Sequence, residues 1–339
     1  MNRPSPASPA PLVAILGPTA SGKSALSVFL AERFGGEILA CDSTQVYRGF
    51  DIGTAKPAAA ERRGIPHHLL DLVEPSDLFT AGEYRRRAEL VLADLQSRGR
   101  LPILTVGTGL YLRALLEGLA DAPERSAELR ARLEARAAAC GPAYLHRILA
   151  HLDPQSARRI APRDRQKLVR AIEICVLAGK SVTELHRSGR DPLIGFAPIR
   201  IGLNPPRAEL RARIERRTHG MLAREWLDEV AELIRAGVPA QSKPFEFIGY
   251  RALREHLESR TSLADATAVI VQSTRRYAKR QLTWFRREPD VAWLAGFGDD
   301  PEIADAAERL IAARLVAFRA GAAEVSSHRP TAVHPRADV

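Results

Sequence analysis

The stretch that most constrains this chain is GPTASGKS, Gly17 to Ser24. It matches G-x-x-x-x-G-K-[ST], follows a short apolar run, LVAIL (12–16), and opens an amphipathic stretch, SALSVFLAERF. A strand, a glycine-rich turn and a helix start in that order make a phosphate cradle. Backbone N–H groups of Thr19, Ala20, Ser21, Gly22 and Lys23 and the helix N-terminus attract phosphate oxygens. Gly17 and Pro18 lead the chain into the turn, Lys23 adds a point charge, and the Ser24 hydroxyl is a ligand for Mg²⁺. The loop alone does not say whether the bound phosphate is transferred or leaves as pyrophosphate.

Beyond the loop, short apolar runs alternate with amphipathic helical stretches, the pattern of a parallel sheet with crossover helices. The expected strands are 12–16, EILAC (37–41), HLLDL (68–72), PILTV (102–106) and IRIGL (199–203). Each is rich in Ile, Leu or Val, as strands buried on both faces are. With the phosphate loop, this predicts an α/β fold with a P-loop NTPase-like parallel sheet flanked by helices. The alternation stops from about 121 to 190, where every segment reads at helical period, so an all-helical insertion domain is expected over 121–196. The catalytic core then comprises 11–120 and, with basic C-terminal helices, 197–320. A long helix should follow Asn204 and Pro206 and stop at Gly237, with its interruption at Gly220. Residues 1–10 and 321–339 read as disordered tails.

No apolar run approaches the ~20 residues that span a bilayer, and LVAIL is too short for a signal-peptide core. The reading is a cytoplasmic protein with no membrane association, taken as a monomer. The three cysteines (Cys41, Cys140, Cys175) form no C-x-x-C pair, which argues against a disulfide framework or structural zinc. A net charge of +10 suits a polyanion partner and equally suits an Arg-rich proteome. Placement favours the partner in one segment. TRRYAKRQLTWFRR (274–287) carries Arg275, Arg276, Lys279, Arg280, Arg286 and Arg287, no acidic residue, and Tyr277, Trp284 and Phe285 between them. The alternative for its aromatics is inward packing on a core helix.

Asp42 ends the second strand beside the loop, where open α/β sheets place their ligands. A carboxylate there acts as a base, holds Mg²⁺, or simply makes a turn. Thr108, at another strand end, contacts a ligand or caps a helix. Arg217, in RARIERRTHG, is either a site cation or a solvated face charge.

The chain resembles the tRNA dimethylallyltransferases, also called tRNA isopentenyltransferases. The resemblance rests on GPTASGKS, on D-S-x-Q-x-Y from Asp42 to Tyr47, and on DIGTAKP (51–57). It continues through PHHLLD (66–71), GTGLYLRALLEGL (107–119), QKLVR (166–170), RIERR (213–217), FIGYRAL (247–253) and the basic segment 274–287. It spans about residues 11–294, and DIGTAKP and A-K-R-Q-x-T-W are its most specific parts. One departure is Val106 before Gly107, where the family usually has a second glycine; a packing change is expected.

The resemblance implies that the loop binds dimethylallyl diphosphate and that pyrophosphate leaves. It makes the acceptor the N6 of the adenosine 3′-adjacent to a tRNA anticodon (position 37). It implies catalytic roles for Asp42 (base), Lys23 and Arg217, with Mg²⁺ on Ser24. It places Asp42, Ser43, Thr44, Gln45, Thr108, Arg130, the stretch Gln166, Lys167, Leu168, Val169 and Arg170, and also Arg275 and Arg280, on the tRNA anticodon arm. Three rivals share parts of this pattern: a small-molecule P-loop kinase, a prenyltransferase acting on free adenine nucleotides, and a non-catalytic RNA-binding P-loop protein. The basic segments disfavour the first two, and Asp42, Lys23 and Ser24 together disfavour the third.

Overall fold

A computed structural model describes residues 9–327 except Asp121, Pro142, Ser188 and Arg190. The chain divides into two compact units, one of residues 116–193 and one of the remainder.

The larger unit is built on six parallel strands: β1 (Ala10–Leu16), β2 (Gly36–Cys41), β3 (His67–His68), β4 (Leu101–Val106), β5 (Phe196–Leu203) and β6 (Val291–Leu294). Their order across the sheet is β3-β2-β4-β1-β5-β6. Helices α1 (Lys23–Phe34), α2 (Ala59–Arg62), α3 (Ala81–Ser97) and α4 (Gly109–Leu116) follow the first four strands. β1, β2 and β4 are almost wholly buried, which explains their uninterrupted apolar sequence. Val13, Ile15, Ile103 and Ile201 pack with α1 residues Leu26 and Leu30 in one core. The register sets Leu16 beside Val106, and Val106 beside Cys41. The chain therefore leaves these neighbouring strands at one level, at Gly17, Asp42 and Gly107. Val106 is fully buried, as a packing residue should be.

The smaller unit is helical: α5 (Ala127–Cys140), α6 (Tyr144–Leu152), α7 (Pro154–Arg159), α8 (Arg165–Ala178) and α9 (Val182–Arg187). Leu133, Leu145, Leu149, Leu168, Val169 and Ile172 form its core. Asp153 starts α7, accepting from the Ser156 N–H (3.0 Å), the Ser156 hydroxyl (2.6 Å) and the Thr183 N–H (3.0 Å). Burial would raise this carboxyl, but those bonds outweigh it and hold it at about 2.

Back in the larger unit, α10 (Arg207–Ala223), α11 (Trp226–Arg235), α12 (Tyr250–Leu257), α13 (Leu263–Phe285) and α14 (Pro301–Ser327) complete the fold.

Four expectations need correction. HLLDL is a strand only at His67 and His68: Leu69 and Asp71 have φ of 66° and 51°. The following residues bond to the 45–47 loop, Leu72 N–H to the Val46 carbonyl at 2.7 Å, and Lys56 draws in the Asp71 carboxylate. The long helix breaks at Glu225 (φ 67°) and not at Gly220, because Trp226 turns into an aromatic cluster with Tyr250. β6 was not expected; it is a four-residue edge strand with little periodicity to read. At the ends, Ala10 opens β1 and 321–327 continue α14, so neither belongs to a tail; 1–8 and 328–339 lie outside the described residues. No described helix is long and apolar enough to cross a membrane.

Candidate active site

The phosphate loop joins β1 to α1. Gly22 immediately precedes α1 with φ 85°, and a side chain there would meet the backbone of Gly298 at 2.7 Å, so only glycine fits. The Gly298 N–H donates to the Ser21 carbonyl at 2.8 Å, which holds the loop against the segment after β6. The Ser21 hydroxyl is buried without a hydrogen-bond partner among the described residues. Lys23 Nζ donates to the Gly17 and Pro18 carbonyls, both at 2.8 Å. Burial pulls the Lys23 ammonium down to about 7, against the pull of Asp42 and helped by the nearby Arg217 charge.

Arg217 comes from α10, four residues beyond Arg213 on the same face. Its Nη1 donates to the Thr19 hydroxyl at 3.3 Å, and it makes no ion pair among the described residues. Burial, then repulsion from Arg213, lowers its pKa. Arg213 is itself held by both oxygens of Asp299 (2.8 and 2.5 Å) and lies over Phe297 at 4.6 Å. Arg213, Arg216, Arg217, Phe297 and Asp299 line a cleft of ≈ 730 Å³. Glu209 shares this lining, so three arginines face two carboxylates, and Arg216 and Arg217 are the cations left for an anionic ligand.

Asp42 leaves β2 and closes a turn: its Oδ1 accepts from the Thr44 N–H (2.8 Å) and the Thr44 hydroxyl (2.7 Å). Its Oδ2 faces Gly107, where an added Cβ would lie 2.0 Å away, so a side chain at 107 would evict the carboxylate. Thr108 supports the same turn, its hydroxyl accepting from the Ser43 N–H at 2.9 Å. Its carbonyl, not its side chain, starts α4. Gln45 donates from Nε2 to the Thr54 and Ala55 carbonyls (3.2 and 3.1 Å). That contact explains DIGTAKP: Lys56 bonds the Tyr47 carbonyl and the Asp51 and Asp71 carboxylates, bracing the loop that carries Asp42.

The fold brings the phosphate loop, Asp42 and Arg217 together, and with them Gln281, to which the motifs had assigned no role. Its amide bonds the Thr19 N–H and the Gly107 carbonyl. The available signal was its fixed place in the specific A-K-R-Q-x-T-W motif, an uncharged polar residue within a basic run.

The expected RNA-facing residues divide. On α13 and just beyond it, Arg276, Lys279, Arg280, Arg286 and Arg287 are exposed and without ion pairs among the described residues, while Arg275 is paired with Glu215 at 2.7 Å. Phe285 is core, Tyr277 donates to the Gly107 carbonyl at 3.2 Å, and Trp284 is exposed beneath Arg113 at 4.8 Å. Within the helical unit, Leu168 and Val169 are core residues, which removes their side chains from an RNA surface. Arg130 binds the buried Glu173 with two bonds of 2.8 Å, and Arg170 binds it at 2.6 Å. Neither is a free cation; Gln166 and Lys167 remain exposed.

The sequence signature of the IPP transferase family matches residues 45–288. The chain belongs to this family. A tRNA dimethylallyltransferase of Koribacter versatilis is 53% identical over 300 residues, covering 88% of this chain and 97% of the relative. Another of that name from Solibacter usitatus is 50% identical, covering 88% and 96%. Among solved structures, the full-length tRNA isopentenylpyrophosphate transferase of Bacillus halodurans is 36% identical with a TM-score of 0.67, covering 94% of this chain and 99% of that one. A eukaryotic dimethylallyltransferase acting on tRNA is 27% identical with a TM-score of 0.76, covering 89% and 78%. The six-stranded parallel sheet and its loop are therefore an IPP transferase core, P-loop NTPase-like in fold.

Proposed function

We propose that this IPP transferase moves a dimethylallyl group from dimethylallyl diphosphate to the exocyclic N6 of the adenosine 3′-adjacent to the anticodon of tRNA (position 37), releasing pyrophosphate. The observation that carries the assignment is the placement of two enclosed cations and one carboxylate about the phosphate loop: Lys23 at the start of α1, Asp42 just past the end of β2, and Arg217 reaching Thr19 from within α10. Prenyl transfer needs both: charge gathers on the departing diphosphate while the attacking amine sheds a proton.

The diphosphate lies in the loop 17–24, with its oxygens on Lys23, Arg217 and the backbone N–H groups beyond Thr19, whose own N–H, expected to face the phosphate, is taken by Gln281. These cations stabilise the transition state more than the ground state, because negative charge grows on the leaving group. Asp42 accepts a hydrogen bond from N6 and takes its proton as the C–N bond forms. Its Oδ1 is fixed by Thr44, which leaves Oδ2 for this task.

No cluster of three or more His, Cys, Asp or Glu suited to a metal exists among the described residues. The exposed Ser24 residue carries a hard oxygen donor, and a site with so few protein ligands fits Mg²⁺, which keeps its waters and takes substrate phosphate oxygens. When bound, Mg²⁺ neutralises charge on the diphosphate. The exposed cations around Arg280 face the RNA backbone, and the target base leaves its stack to reach Asp42.

The test offers labelled dimethylallyl diphosphate together with a tRNA and AMP. Label in the tRNA at the expected adenosine supports the assignment; label in AMP, or none in either, overturns it.

A further inference from the structure

Gln281 is 6% exposed on the inner face of α13, and both ends of its amide are used. Oε1 accepts from the Thr19 N–H at 2.7 Å, and Nε2 donates to the Gly107 carbonyl at 2.8 Å. The partners fix the orientation, since a flipped amide would set oxygen against oxygen and N–H against N–H. Of side chains this length, a carboxylate lacks the donor and an ammonium lacks the acceptor.

The two anchors have different jobs. Thr19 belongs to the phosphate loop, and its hydroxyl receives Arg217. Gly107 is the shelf against which Asp42 rests, and its own N–H is bonded to the Cys41 carbonyl at 3.0 Å. The β1–β4 ladder ends at Leu16 and Val106, one residue short of both loops. Beyond that point, the Gln281 amide is a direct polar link between the cationic side of the site and its carboxylate.

We propose that Gln281 is a positioning residue for prenyl transfer, holding the phosphate loop and the Asp42 shelf at the spacing the reaction needs. It acts through Thr19 and Gly107. The proposal rests on the prenyl-transfer reading of the site, and its test separates the two.

Two variants are compared with the wild type: Gln281→Met, of similar length with neither bond, and Gln281→Glu, which keeps an acceptor for Thr19 and loses the donor to Gly107. Single-turnover transfer from dimethylallyl diphosphate to tRNA, donor affinity, tRNA affinity and thermal midpoint are measured on each. Misplacement on the ångström scale costs up to about 10²-fold, so Gln281→Met should lose ~10–10²-fold in single-turnover rate at saturating donor and tRNA with tRNA affinity unchanged. Gln281→Glu should lose rate as well, and should bind the donor more weakly than Gln281→Met because it sets an anion beside the diphosphate. A merely structural role would lower the thermal midpoint and leave the rate per folded molecule at the wild-type value; that outcome overturns the proposal. If Gln281→Met does not fold, Gln281→Glu carries the same comparison of rate per folded molecule. Transfer by the wild type with no loss in the folded variants overturns the positioning role alone. No transfer by the wild type overturns the reading of the site, and the positioning role with it.

Discussion

In the α/β unit, Lys23 and Arg217 are enclosed with no carboxylate among the described residues in an ion pair with them, whereas in the helical unit Arg130 and Arg170 close on the buried Glu173. The same residue types serve opposite ends. An enclosed cation without an anion is held at a cost, since burial disfavours its charge, and it regains that cost when an anionic ligand arrives. A cation already closed on a buried carboxylate has little to offer a ligand. The difference separates the proposed site from a scaffold, and it yields four experiments.

The largest effect belongs to Asp42. Asp42→Asn keeps the size and loses the basicity, so turnover should fall by about 10²–10⁴-fold with donor binding little changed. Single-turnover rates and donor titrations check this. Near-normal turnover with a large loss of donor affinity would make Asp42 a metal ligand.

Lys23 comes next. Its pKa of about 7 in the free protein means that donor binding above that pH takes up a proton. Donor affinity should weaken by up to about tenfold per pH unit above 7, and Lys23→Met should flatten the profile. Calorimetry in buffers of different ionisation heat reads the proton directly. The stability sign follows from the folded value lying below the ordinary 10.5: the burial cost is full below about pH 7 and fades as pH rises toward 10.5.

Glu173→Gln should act on stability alone, costing the helical unit about 1–3 kcal/mol by leaving bonds to Arg130 and Arg170 unmade. Burial raises the Glu173 carboxyl, but bonds from Arg130, Arg170 and the Ser126 N–H outweigh it and hold it at about 2. Its contribution is therefore complete above the ordinary 4.5 and disappears as pH falls through about 2. Denaturant unfolding followed with donor titration checks both halves. A loss of donor affinity in this variant would break the comparison.

The smallest effect separates two arginines of α13. Arg280→Gln should reduce the salt slope of tRNA binding by ~0.7–0.9, the value for one lost phosphate contact. Arg275→Gln should do less, because Glu215 already neutralises Arg275. Equal slopes for both variants and wild type would make these arginines ordinary surface charges.

Four strand positions, the phosphate-loop motif, the place of Asp42 at a strand end and the helical insertion were legible because each is a local matter. A buried parallel strand is a run of Ile, Leu and Val; a phosphate loop is a spacing of glycines; a bundle has a 3.6-residue period. The compact helical unit, 116–193, begins and ends a few residues before the expected 121–196, as boundaries read from periodicity do. The illegible parts depend on partners far away in sequence. Leu69 to Leu72 fall outside the sheet because the 45–47 loop offers hydrogen bonds to Asp71 and Leu72. The α10–α11 break followed Trp226 and not the nearest glycine. Leu168 and Val169 sat in a motif yet face inward, since a motif does not state which face of a helix is buried.

By itself, then, the sequence determined four of the six strands, the phosphate-loop motif at residues 17–24, and the family through its motifs. Tertiary structure decided which charges are available. Arg130, Arg170, Arg275 and Arg280 are alike in sequence, and only their neighbours at 43, 3 and 60 residues' remove, or the absence of one, tell them apart. Gln281 shows the same limit most sharply: its two partners lie 262 and 174 residues away. Local patterns are written by the geometry of one helix or strand. A hydrogen bond between the ends of neighbouring strands exists only once the sheet has set their register.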